Sequence, residues 1–94
     1  MKPAWLAAAK RSRASQIAYI AERNPQAALD MATAIRVATD RRASYPHMGR
    51  PGRVNGTREL VVPRTPCIVI YEIEGDMVRI IRVLHSAQRW PSAN

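Results

Sequence analysis

A chain of 94 residues with no internal repeat or low-complexity tract has room for one domain, residues 1–94, around a single modest core. Its hydrophobic fraction of 47% includes fifteen alanines and no phenylalanine, so packing depends on Ile, Val, Leu, Tyr and Trp. A net charge of +8, carried by thirteen arginines against two lysines, favours an anionic partner, although scattered arginines also follow from a GC-rich genome. No apolar run approaches the ~20 residues of a membrane span, and the opening Met1-Lys2-Pro3-Ala4-Trp5 lacks a secretory hydrophobic segment. A soluble, cytoplasmic protein without membrane attachment is expected. Cys67 stands alone in an apolar stretch and reads as a buried small hydrophobe, and the two histidines, His47 and His85, make no zinc pattern, so neither metal nor cofactor is expected.

In chain order, Lys2 to Leu6 is a poor candidate for an edge strand because Pro3 removes a donor. Ala7 to Arg23 favours a helix with Ile17, Ile20 and Ala21 as a short apolar edge. Asn24-Pro25 then supplies an N-cap and a first helical position, so a second helix runs from Pro25 to about Ala43. Its stripe of Ala28, Met31, Ala32, Ile35 and Ala38 packs one side, and Arg41-Arg42 suits the negative end of the helix dipole. The two helices form an α-hairpin. Residues 47–56 carry Gly49, Pro51, Gly52 and Asn55-Gly56 and read as an irregular loop presenting Arg50 and Arg53. After it the period changes to two: Thr57 to Val62, Cys67 to Ile73 and Met77 to Leu84 read as an antiparallel meander, turning at Pro63-Arg64-Thr65-Pro66 and at Gly75-Asp76. A two-residue turn at Gly75-Asp76 sets Glu72 opposite Arg79 and Ile70 opposite Ile81.

No paired carboxylates with catalytic spacing appear, and no glycine-rich loop leads into a helix, which sets aside carboxylate hydrolases and the usual nucleotide sites. What remains is a polar set: Arg50 and Arg53 from the loop, Arg58, Tyr71 and Arg82 from strands, and His85 at the end of the last strand. The register above puts Arg58, Tyr71 and Arg82 on one face. Such a set could bind a nucleic-acid backbone, and His85 could move a proton in RNA cleavage. The competing structural reading has Tyr71 in the core, Arg58 and Arg82 beside Glu59 and Glu72, His85 capping the sheet edge, and Trp90 sealing the end of the core.

Tyr19-Ile20-Ala21, Asn24-Pro25-Gln26-Ala27-Ala28, Gly49-Arg50-Pro51-Gly52-Arg53-Val54, Gly56-Thr57-Arg58-Glu59-Leu60-Val61-Val62, Ile68-Val69-Ile70-Tyr71 and Arg82-Val83-Leu84-His85 with Trp90-Pro91 together resemble the RelE/ParE toxin superfamily, most closely its ParE-like plasmid-stabilisation branch. The resemblance implies an α+β fold, an N-terminal α-helical hairpin packed on a three- to four-stranded antiparallel sheet. It implies the toxin of a type II toxin-antitoxin module, held in a hetero-oligomer by a small, acidic, DNA-binding antitoxin. ParE-like members act on DNA gyrase and cause growth arrest without a catalytic set. RelE-like members are ribosome-dependent mRNA endonucleases, and in that alternative Arg58, Arg82 and His85 would act on the ribosome-bound mRNA. Ser86 follows His85 where some nuclease members carry Tyr, and Arg13 and Gln16 stand where the family usually has apolar residues. A third possibility is a detoxified module that only sequesters antitoxin.

Overall fold

The computed structural model describes residues 2–85. Strand β1 (Ala4–Trp5) leads into helix α1 (Ala7–Ala21) and helix α2 (Pro25–Ser44), and a single 3-10 turn (Pro46–Met48) precedes strand β2 (Arg50–Pro51). Strands β3 (Arg58–Val61), β4 (Cys67–Glu74) and β5 (Met77–His85) complete a five-stranded sheet of order β1-β5-β4-β3-β2. The hairpin sits on the sheet as expected, and β3 to β5 form the meander, but the sheet is mixed: β1 runs parallel to β5. Pro3 does not prevent this because it precedes the strand, and Leu6 supplies a backbone N–H to the Ile80 carbonyl at 3.0 Å. The loop also holds more order than its glycines and prolines suggest, since Arg50 and Pro51 pair with Glu59 and Arg58 as β2.

Local chemistry accounts for the hairpin. Asn24 caps α2 by accepting a hydrogen bond from the Ala27 N–H at 3.0 Å, with Pro25 in the first turn. Ala28, Met31 and Ile35 are buried, Ala38 packs beside them, and α1 contributes Ala9, Ile17 and Ile20. The facing sheet surface supplies Leu60, Val62, Cys67, Val69, Tyr71, Val78, Ile80 and Val83. Burying a side chain such as Ile35 or Ile80 contributes about 1.5–3 kcal/mol, so this layer carries most of the stability. Two polar residues that periodicity did not single out are fitted into it. Thr39 is buried because its hydroxyl donates to the carbonyls of Ile35 and Arg36 at 2.9 and 3.1 Å. Ser12 Oγ accepts the Val83 N–H at 2.9 Å, satisfying the β5 edge beyond the end of β1. Arg13, unexpected at its position in α1, stacks over Trp5 with its guanidinium carbon 4.2 Å from the ring centroid.

The two-residue turn at Gly75-Asp76 forms, and Glu72 lies opposite Arg79 with 3.5 Å between carboxylate and guanidinium. One step farther the expected register fails. Tyr71 pairs with Ile80 and Ile70 with Arg82, so Ile81 is the extra residue of a β-bulge rather than the partner of Ile70. The bulge transfers Arg82 to the sheet surface facing away from the helices, where Ile68, Ile70 and Leu84 form a second buried cluster with Ile81.

Candidate functional site

The pairing register sorts the polar set into two rows. On the helix-facing surface, Pro51, Arg58, Tyr71 and Ile80 lie side by side across the sheet. On the opposite surface the row is Arg50, Glu59, Ile70 and Arg82. Arg58, Tyr71 and Arg82 therefore do not share a face, and the bulge at Ile81 is the cause.

Arg58 and Tyr71 are occupied in holding the segment that leads into β2. The Tyr71 ring is fully buried, its hydroxyl donates to the Pro46 carbonyl at 2.6 Å and accepts the Gly49 N–H at 3.0 Å. Arg58 Nη1 donates to the carbonyls of His47 and Gly49 at 3.3 and 3.0 Å, and its Nη2 donates to His47 Nδ1 at 3.3 Å. Gly49 must be glycine here, because a Cβ would lie 2.8 Å from Cε1 and Cζ of Tyr71. Gly52 is similarly constrained: a Cβ would meet Thr57 Oγ1 and lie 3.0 Å from the Thr57 backbone.

Glu59 organises the other row. It is 3% exposed, yet its carboxylate accepts from Arg50 Nη2 at 3.1 Å and from the Arg53 backbone N–H at 3.1 Å, with Arg53 Nε 3.6 Å away. Arg50 and Arg53 are half-exposed, with side-chain exposures of 54% and 50%. They present cationic groups at the surface while their inner edges are held by the buried acid. The partners of Glu59 come from a loop whose path is invisible to strand periodicity. Arg58 is not its partner.

The remaining candidates are farther apart. Arg82 Nη1 donates to the Ile81 carbonyl at 3.1 Å. His85 is exposed and pairs with Cys67, four residues along β4 from the Tyr71 level of Arg58, about 13 Å at ~3.3 Å per residue. Arg58, Arg82 and His85 are thus divided between two faces and two ends of the sheet. Cys67 is buried, 3.7 Å from Met31 Sδ, and burial raises its thiol pKa while a hydrogen bond with Thr65 lowers it less. It behaves as packing. Among the described residues no cluster of His, Cys, Asp or Glu could hold a metal ion, and no helix is long and apolar enough to cross a membrane. Ser86 and Trp90 lie outside the described residues.

Comparison with known proteins follows the same outline. A family model described as the ParE toxin of the type II toxin-antitoxin system, parDE, matches residues 4–90. The putative toxin Y4kP of Sinorhizobium fredii is 46% identical over 74 residues, covering 79% of this chain and 76% of that protein. Toxin RelE2 of Caulobacter vibrioides is 34% identical over 70 residues, 74% of this chain and 77% of that one. Among solved structures, the chromosomal ParDE toxin-antitoxin system from P. aeruginosa matches with a TM-score of 0.77 over 90% of this chain and 95% of that chain, at 22% identity, a likeness of fold.

Proposed function

The chain belongs to the ParE toxin family of type II toxin-antitoxin systems, and from that premise we propose that it arrests growth by binding DNA gyrase and trapping the DNA-cleaved state, with a cognate antitoxin as its neutraliser. The observation that carries this reading is the separation of Arg58, Arg82 and His85, Arg82 by the β-bulge that puts it on the other face and His85 by its place at the far end of the sheet. General acid–base cleavage of RNA needs a proton-transfer group within hydrogen-bond reach of the reacting atoms and a cation beside the phosphate. Here Arg58 and Tyr71 are bonded to the 46–49 segment instead. A binding mode requires no such convergence. Arg50, Arg53 and Arg82 then serve as contact residues for target or antitoxin, with Arg50 and Arg82 on the sheet surface facing away from the helices, while Arg58 and Tyr71 hold the 46–49 segment from the helix-facing side and exposed His85 stands at the end of β5.

The RelE name of the Caulobacter relative supplies a second reading, ribosome-dependent mRNA cleavage. Induced expression separates the two when plasmid topology and transcript integrity are followed together. The gyrase reading expects relaxed or linearised plasmid, intact mRNA, and undiminished arrest by His85→Ala. Ribosome-dependent transcript cleavage that is abolished by His85→Ala would replace it with the nuclease reading.

A further inference from the structure

A groove of about 810 Å³ runs between α2 and the β3 edge with its following turn. Met31, Ala34 and Leu60 line it, and Val37 and Val61, each about half exposed, stand along it. Strand β2 pairs only with Arg58 and Glu59, so at Leu60 and Val61 the β3 edge has no neighbouring strand among the described residues. An apolar trough beside an unpaired edge suits a peptide segment.

Arg41, Arg42 and Arg64 all line this groove, and its one acid, Asp30, lies eleven residues back along α2, about 16 Å at ~1.5 Å per residue. Nε and Nη1 of Arg42 are buried and have no hydrogen-bond partner among the described residues. An unpaired buried guanidinium penalises the free protein and is relieved by an incoming anion. Arg64 adds a second, independent sign. It has φ +64° in the turn after Pro63, closed by the Thr65 N–H to the Val62 carbonyl at 3.3 Å, a position at which Gly or Asn is usual. The chain thus keeps two arginines at this groove against local preference.

We propose that Arg42, flanked by Arg41 and Arg64, is the receptor for a carboxylate side chain of an antitoxin segment whose apolar residues fill the groove. This rests on the toxin-antitoxin reading but not on gyrase as the target. A carboxylate fits better than a nucleic-acid phosphate because Nε and Nη1 of Arg42 are buried, whereas a phosphate backbone is tracked by exposed cations. The fork geometry of Arg matches a carboxylate in two hydrogen bonds, which a lysine cannot reproduce.

The test is calorimetric titration of the full-length toxin with the antitoxin encoded beside it, for wild type, Arg42→Gln, Arg42→Lys and the exposed α2 control Arg36→Gln, each with its thermal midpoint. The inference expects Arg42→Gln to lose about tenfold to a hundredfold in affinity, Arg42→Lys to recover only part, Arg36→Gln to match wild type, and the midpoint of free Arg42→Gln to be unchanged or raised. Wild-type affinity for Arg42→Gln would overturn it. So would a lowered midpoint with the lost affinity, which marks Arg42 as a folding residue, or a loss of duplex-DNA binding by Arg42→Gln with antitoxin binding intact. A toxin that leaves gyrase untouched would sink the target assignment alone.

Discussion

Tyr71 and Glu59 show how the same residue types can serve architecture or chemistry according to what surrounds them. Had Tyr71 been a catalytic hydroxyl, its Oη would be accessible; instead it joins the Pro46 carbonyl to the Gly49 N–H inside the protein. Tyr71→Phe keeps the ring and leaves those two backbone groups unpartnered, so urea unfolding should report a loss of about 1–3 kcal/mol while growth arrest persists. Loss of arrest at unchanged stability would return Tyr71 to the functional set. Glu59 is buried, but its two arginines are half-exposed, which limits the Coulomb term through solvent screening. Glu59→Gln keeps an acceptor and removes the charge, and should cost about 1–2 kcal/mol with looser order across Arg50–Arg53. Hydrogen exchange at the Arg53 amide, which Glu59 accepts, is the direct readout; unchanged protection would remove Glu59 from its organising role.

At the scale of elements, the features legible in the sequence were those with local causes. Asn24-Pro25 marks the start of α2 because cap and first-turn residues act within one turn, and Gly75-Asp76 predicts its hairpin because a two-residue turn fixes the adjacent pairs. What was not legible depends on contacts made far along the chain. The extra residue at Ile81 breaks the apolar–polar alternation of Val78-Arg79-Ile80-Ile81-Arg82-Val83, a local sign that a register counted from the turn passes over, and it moves Arg82 across the sheet, and with it the proposed cluster. Strand β1 forms because β5 offers an edge seventy-five positions later, and Ser12 reads as an ordinary helix hydroxyl until the unpaired Val83 N–H is in place. The turn after β3 is a further case: its prolines are visible, but the positive φ of Arg64 is not. Arg64→Gly should leave the free protein equally stable or raise it by up to about 1 kcal/mol, since relief of the left-handed penalty outweighs the added chain entropy. Thermal unfolding checks this, and a clear loss of stability would show that the Arg64 side chain supports the fold.

Across the described residues, the layer between helices and sheet supplies most of the stability, and the opposite sheet surface combines a second buried cluster of Ile68, Ile70 and Leu84 with the half-exposed groups of Arg50 and Arg53. The helices cover one sheet surface, while the row of Arg50, Glu59, Ile70 and Arg82 crosses the other and the α2 groove opens at the β3 edge. This leaves two separate surfaces, a cationic sheet row and an apolar groove with recessed arginines, on a chain of net charge +8. Family membership implies the antitoxin, and the placement of Arg50 and Arg53 on a buried acid is visible only in the fold. The central claim is that this surface acts by binding gyrase rather than by cutting RNA. Plasmid supercoiling by purified gyrase in the presence of the purified toxin tests it most directly. The account predicts lost supercoiling with accumulation of linearised plasmid after denaturation of the protein, reversed by the antitoxin; full supercoiling at a large molar excess of folded toxin would contradict it.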